Sequence, residues 1–254
     1  MEESQHGGGG SVDQLSKSLV RYALSCEAAR KPIKRQDVNE KVLGSHARLF
    51  KTVFDQANSE LMDVFGMAMA ELPRGERVTA RQKRAAADSS KTSNMWVLQT
   101  VVPAQYRLPD ALGPAPPASR DDASAYVGLY TMVIALVVIA GGRLPEAKLD
   151  RALRRMNADQ TTPLATTEKT LALMAKDGYV VRVREAVGGE ETVDYVVGPR
   201  GRVEVGREGF AALVETIYGA DADADELQAK IRRTLDVAGA TSGVARKRGR
   251  EGEE

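Results

Sequence analysis

Between Pro103 and Ala125 the chain gathers five of its ten prolines among small and charged residues, and the same run of elements can be read on either side of that stretch. Proline has no backbone N–H and disfavours helix in the residue before it, so the segment reads as a linker. A chain divided in this way has to close two separate cores. At 254 residues, with 43% apolar and 28% charged side chains, there is enough material to do so.

Residues 1–11 hold four consecutive glycines and almost nothing to bury, which predicts a flexible tail. Leu15, Leu19, Tyr22, Ala23 and Cys26 then recur at helical spacing on a stripe that ends before Pro32. A short second helix is expected over Lys34 to Leu43, closed by Gly44. Phe50, Val53, Phe54, Ala57, Leu61, Val64 and Phe65 keep one face of a third helix that stops at Gly66. Met67 to Leu72 and Met95 to Val102 can pair as strands on either side of a polar loop from Pro73 to Ser93. Three helices followed by a two-stranded wing make a winged helix, assigned here to residues 12–102.

The second half repeats the order. An apolar helix runs to Ala140 and leaves through Gly141 and Gly142, a helix covers Pro145 to Met156, and a third ends at Gly178. In the wing, Tyr179, Val181 and Val183 alternate with Val180, Arg182 and Arg184. Gly188 and Gly189 supply the turn, and Val193, Tyr195 and Val197 alternate back. Phe210, Leu213, Val214, Ile217 and Tyr218 mark a closing helix. The fold class expected is mostly α with small β wings, as tandem winged-helix domains: 12–102, a linker at 103–125, and 126–219. Residues 220–254 are read as one weak amphipathic helix on Leu227, Ile231 and Leu235, then a disordered charged tail.

Composition narrows the chemistry. Lysine and arginine number 36 against 35 acids, so any nucleic-acid contact must come from patches and not from an overall field. One cysteine, Cys26, and two histidines give neither an internal disulfide nor a zinc set, and no metal or cofactor is expected. The N-terminus lacks the basic and apolar regions of a signal peptide, which predicts an intracellular protein. The apolar run from Val127 to Ala140 is 14 residues long where a membrane span needs roughly 20, so it reads as a core helix. Gly7 to Gly10 lacks the Gly-Lys-Ser or Gly-Lys-Thr of a phosphate-binding loop, and His46 has no nucleophile or carboxylate near it in sequence. Glu190 and Glu191 sit in a hairpin turn, where solvation accounts for them more simply than catalysis. No catalytic residue is assigned.

Six long stretches resemble the MAGE homology domain family, and within it the non-SMC element three branch of the five-six SMC complex. In the first half these are LVRYAL at Leu19–Leu24, KPIKRQDV at Lys31–Val38, LMDVFG at Leu61–Gly66 and MWVLQT at Met95–Thr100. In the second they are GLYTMVIALVVIAGGRL at Gly128–Leu144 and VDYVVGPR at Val193–Arg200. The resemblance implies tandem winged helices, a RING-type partner bound through the first helix, a kleisin partner held by the second domain, and binding of double-stranded DNA. It departs at Ala23–Leu24, where relatives outside the fungi often carry two adjacent leucines.

Candidate residues follow from both sources. The loop Pro73 to Ser93 carries six cations, Lys83 and Arg84 among them, against two acids, and a basic loop can lie along phosphates or simply be solvated. Lys169 and Lys176 on the third helix of the second half, Arg182 and Arg184 on its wing, and Arg200 and Arg202 after it form the other DNA candidate, with an ordinary solvated face as the competing reading. With 5% aromatics and no basic–aromatic interleaving, contact to the duplex backbone is expected over base stacking. Leu15, Leu19, Tyr22, Ala23 and Leu24 are the RING-partner candidates. Leu153, Leu164, Tyr179, Phe210 and Leu213 are the kleisin candidates, with core packing as their simpler role. The function expected is a non-catalytic, nuclear, chromatin-associated adaptor in DNA repair and recombination. The alternative is a MAGE-type regulator of a ubiquitin ligase that does not touch DNA, and a sequence-specific transcription regulator ranks behind both.

Overall fold

The computed structural model describes residues 7–73, 93–107, 117–187, 190–219 and 223–241. They form two compact units, one built on residues up to 107 and the other on residues from 118. Each has its own apolar core.

In the first unit, α1 spans Gly7–Ala28. It takes in the four glycines read from sequence as tail, although each costs about 1 kcal/mol relative to alanine in a helix. Leu19 and Ala23 are wholly buried and Cys26 nearly so, as the 3.6-residue stripe requires. Ile33 and Lys34 form a short strand, β1, so the second helix starts one residue later than expected. It runs as α2 over Arg35–Val38 and widens to a π turn over Asn39–Leu43. Gly44 ends it at φ 53° and ψ −118°, a positive φ that favours glycine. A 3₁₀ segment leads into α3, Phe50–Phe65. Val53, Ala57 and Leu61 of α3 are completely buried against α1.

Gly66, at φ 60°, caps α3, and its N–H reaches the carbonyls of Leu61 and Met62. A Cβ there would stand 2.4 Å from Val102 Cγ2, so the position excludes a side chain twice over. The chain then enters β2, Met67–Glu71, which pairs antiparallel with β3, Met95–Thr100, in the register Met69↔Leu98. Asn58 Oδ1 accepts a hydrogen bond from the Met69 N–H at 2.7 Å and ties the hairpin to α3. β1 adds to the other side of β3, giving the order β1–β3–β2. The Arg35 guanidinium lies 4.5 Å from the centre of the Phe50 ring, beside Phe54 and Trp96.

The second unit opens with α4, Pro117–Ile139, which begins inside the stretch read from sequence as linker. Proline is well tolerated at a first helical position, where its missing N–H has no partner to lose. Val133, Ile134 and Val137 are almost entirely buried. Gly141 and Gly142, at φ 86° and 93°, turn the chain out, with the Gly142 N–H bonded to Val137 O at 2.9 Å. β4, Arg143–Pro145, is followed by α5, Glu146–Arg155, and by α6, Thr167–Asp177, which ends at Gly178 with φ 84°. β5, Val180–Val187, and β6, Glu190–Val197, form the hairpin, and β4 pairs on β6 to give β4–β6–β5. The pairing Val183↔Asp194 fixes the register, with Val183 buried and Arg182 and Arg184 turned outward on the opposite face.

Three more helices follow: α7, Pro199–Glu204; α8, Gly206–Tyr218; and α9, Ala224–Thr241. In α8 only Phe210 is fully buried. Ile217 and Tyr218, read from sequence as part of its apolar stripe, are 60% and 62% exposed. Each unit therefore shows helices followed by a small antiparallel wing, and the molecule is mostly helical.

Candidate partner and nucleic-acid surfaces

On α1 the five RING-partner candidates divide by burial. Leu19 and Ala23 are wholly buried in the unit's own core, while Leu15, Tyr22 and Leu24 are half-buried and reach the surface. The Tyr22 hydroxyl bonds to Asp37 Oδ2 at 3.4 Å, and the Lys41 ammonium lies 5.8 Å from the ring centre. Burial, with Cys26 and Asp37 alongside, raises the pKa of this hydroxyl above its ordinary 10.0, so Tyr22 is a neutral donor with an apolar ring at this surface.

The kleisin candidates divide more sharply. Leu153, Tyr179 and Phe210 are 2%, 0% and 2% exposed and hold the second core together. Only Leu164 and Leu213 are half-buried, packed on that core with part of the side chain outside. Tyr179 stacks on Tyr130 with ring centres 3.8 Å apart, and meets Tyr126 edge-on at 5.8 Å. A side chain enclosed in this way has no face to offer a partner.

Of the DNA candidates, Lys83 and Arg84 lie outside the described residues. Arg200 requires a correction. Its side chain is 2% exposed, its Nε is bonded to Glu204 Oε1, and its guanidinium lies 5.7 Å from the Tyr179 ring centre, while the Tyr179 hydroxyl donates to Glu204 Oε2 at 2.6 Å. A cation so enclosed pairs with the partly buried carboxylate of Glu204 and does not meet phosphates. The VDYVVGPR stretch is thus a packing device. A Cβ on Gly198 would come within 2.2 Å of Gly178 O, and one on Gly201 within 2.5 Å of Tyr179 O, so both positions need glycine for the close crossing of the two chain segments.

Lys169, Lys176 and Arg184 are exposed, while Arg202 is at the surface with part of the side chain covered. Arg182 is tied to Glu146 at 2.5 Å, which lowers the free charge of the wing. α5 adds a basic face that the sequence conceals. Lys148, Arg151 and Arg155 fall at i, i+3 and i+7 and are all exposed, on the side of the helix away from the buried Leu149 and Leu153. The signal was present in that spacing, but it was hidden by the acids Glu146 and Asp150 of the same segment. Structure removes Glu146 from the balance by pairing it with Arg182.

In the first unit an open cleft of about 750 Å³ is lined by Lys34, Arg35, Gln36, Asn39, Glu40, Ser93, Asn94 and Met95. Among the described residues no group of His, Cys, Asp and Glu is arranged to hold a metal ion, and no helix is long and apolar enough to cross a membrane.

Two mostly helical units, each with a small antiparallel sheet, define the class of fold. The family model of the MAGE homology domain matches residues 19–208, and the chain belongs to that family. It is similar to the non-structural maintenance of chromosome element 3 of Schizosaccharomyces pombe, with 26% identity over 231 residues, which are 86% of this chain and 69% of that protein. It is also similar to the human element 3 homolog, with 23% identity over 207 residues, 80% of this chain and 60% of the human protein. A chain of a solved Nse1-Nse3-Nse4 complex has the same fold, with a TM-score of 0.68 at 16% identity, across 91% of this chain and 99% of that one.

Proposed function

We propose that this protein is the element-three-type subunit of an SMC five-six type complex, a non-catalytic adaptor that bridges a RING-type subunit and a kleisin and grips double-stranded DNA. The observation that carries the reading is similarity to two element 3 proteins over most of the chain. The likeness in fold to a chain of an Nse1-Nse3-Nse4 complex supports it. The two units, the first opening with α1 and the second with α4, are winged-helix domains that each carry one partner surface. Leu15, Tyr22 and Leu24 on α1 face the RING-type subunit, and Leu164 and Leu213 face the kleisin. The protein works in the nucleus on chromatin, in DNA repair and recombination.

Duplex DNA is held by backbone contacts from Lys169, Lys176, Arg184 and Arg202, with Lys148, Arg151 and Arg155 of α5 added to them. Contacts to phosphates release condensed counterions, so log affinity falls with log salt by about 0.9 per phosphate engaged. Purification of the complex from source cells, with identification of its members, tests the partners. Titration of random duplex at several salt concentrations tests the DNA role. A complex without a kleisin, or duplex binding indifferent to salt, overturns the reading.

The pairing of Arg182 with Glu146 and the burial of Arg200 leave the wing with less free positive charge, and this favours the alternative of a MAGE-type ligase regulator that does not touch DNA. Charge reversal at Lys148, Arg151 and Arg155 separates the two. Loss of duplex binding with RING association intact supports the adaptor, and a parent protein that binds no duplex supports the regulator.

A further inference from the structure

Folded proteins pair nearly all of their buried polar atoms, so an exception points to a partner that the chain itself does not supply. Among the described residues three buried side-chain atoms have no hydrogen-bond partner: Asn39 Oδ1, Arg143 Nε and Arg200 Nη1. Both arginines are ion-paired, with Asp194 and with Glu204. That leaves the Asn39 oxygen as the buried acceptor that nothing answers. Asn39 stands in the wall of the open cleft of about 750 Å³ in the first unit, where α2 widens into the π turn Asn39–Leu43. Single π turns are rare, and many of those known lie at functional sites.

Two cations share the cleft. Lys34 and Arg35 are both exposed, and among the described residues no carboxylate pairs with either. The Arg35 guanidinium is steadied over the Phe50 ring at 4.5 Å, so it is held in place before any ligand arrives.

These groups define what a ligand must offer. An orphaned acceptor is satisfied only by a donor, and ionised phosphates carry none, so a nucleic-acid backbone answers the cations but not Asn39. The lining has no aromatic ring on which a base could stack, and the exposed carboxylate of Glu40 within it opposes a polyanion. Small molecules are enclosed over most of their surface, which an open cleft does not do. An extended peptide meets each demand. Its backbone carries N–H groups for Asn39 Oδ1, and an aspartate or glutamate side chain can reach Lys34 and Arg35.

We infer that this cleft is a docking site for an extended, acidic peptide segment of a partner protein, with Asn39 reading the backbone and Lys34 and Arg35 the carboxylates. None of the α1 residues assigned above to the RING-type subunit lines the cleft, so the inference does not depend on that assignment.

The test uses the full chain and a labelled, end-blocked peptide pool with aspartate or glutamate at alternate positions, followed by anisotropy. Saturable binding is expected, and a pool with asparagine and glutamine in place of the acids should bind on the order of tenfold more weakly. Asn39→Leu should weaken binding by about fivefold to tenfold while melting with the parent or above it, because it removes an acceptor that the fold does not satisfy. Lys34→Glu, at an exposed position, should weaken binding of the acidic pool on the order of tenfold and leave the neutral pool unmoved. A parent that does not bind the acidic pool, equal binding of the two pools, or Asn39→Leu binding as the parent does overturns the inference. It also falls if Asn39→Leu melts lower, since the amide would then serve the fold. Displacement of the peptide by random duplex, with duplex affinity lost in Lys34→Glu, would give the cleft to phosphates and sink it as well.

Discussion

Replacing Arg200 by methionine tests whether this cation belongs to the core or to a nucleic-acid surface. The side chain is 2% exposed and Glu204, its partner, is 16% exposed. Methionine fills much of the space but leaves the Glu204 carboxylate with the Tyr179 hydroxyl, which donates at 2.6 Å, and without its cation. Removing one partner of a buried pair costs about 3–5 kcal/mol, and the residual access of Glu204 to water points to the lower end. At about 3–6 °C per kcal/mol for a unit of this size, the second unit should melt on the order of 10–15 °C lower. Replacing both partners, Arg200→Met with Glu204→Gln, should recover most of the loss, since the carboxylate charge that Arg200 balanced is then gone as well. Thermal unfolding followed by circular dichroism measures the shift, and duplex binding at about 10 °C, where the variant stays folded, should match the parent within about twofold. An Arg200→Met protein that melts with the parent yet binds duplex more weakly would refute the placement of this residue in the core.

Other expectations follow from the same geometry. Charge reversal of Lys148, Arg151 and Arg155 should flatten the salt dependence of duplex binding by about 0.9 for each phosphate no longer engaged, and an unchanged slope in anisotropy titrations would remove α5 from the interface. Leu61→Ala empties a fully buried site in the first unit and should cost about 2–5 kcal/mol in urea unfolding, with the transition of the second unit unmoved. Gly198→Ala drives a Cβ to 2.2 Å from Gly178 O and should destabilise the second unit by about 1–3 kcal/mol or more, whereas an unchanged melting temperature would contradict the close crossing. Burial raises the pKa of the Tyr22 hydroxyl, so its share of stability is present below the ordinary value of 10.0 and is lost as pH climbs past it through the raised folded value. Ultraviolet titration should show late-ionising tyrosines, Tyr195 among them because burial raises its hydroxyl too, and Tyr22→Phe should shrink that late phase by one tyrosine.

Much of the architecture was legible because local rules and global packing agree. The stripe of Val53, Ala57 and Leu61, the exits at Gly66 and Gly178, and the alternation of Val183 with Arg182 and Arg184 each have one physical solution, and the structure adopts it. The candidate sites were less legible. Exposure depends on which neighbour covers a side chain, and periodicity says only that a face is apolar. Leu153, Tyr179 and Phe210 fit a groove or a core equally well by spacing, with core packing the simpler role, and in the structure they are core. The basic stripe of α5 was masked in sequence by acids, one of which the fold draws to Arg182.

Sequence by itself determined where most of the helices and strands lie, that no membrane-length apolar run is present, and that the halves repeat one order of elements. Those properties are written in nearest-neighbour spacing and in glycine and proline chemistry, which act over a few residues. Only the tertiary structure decided that Arg200 is a buried counter-ion, that Arg182 is spoken for by Glu146, and that α9 packs along α8 and over Gly142. Each of these joins groups whose charge or shape is readable alone but whose partner is chosen by the closing of the core.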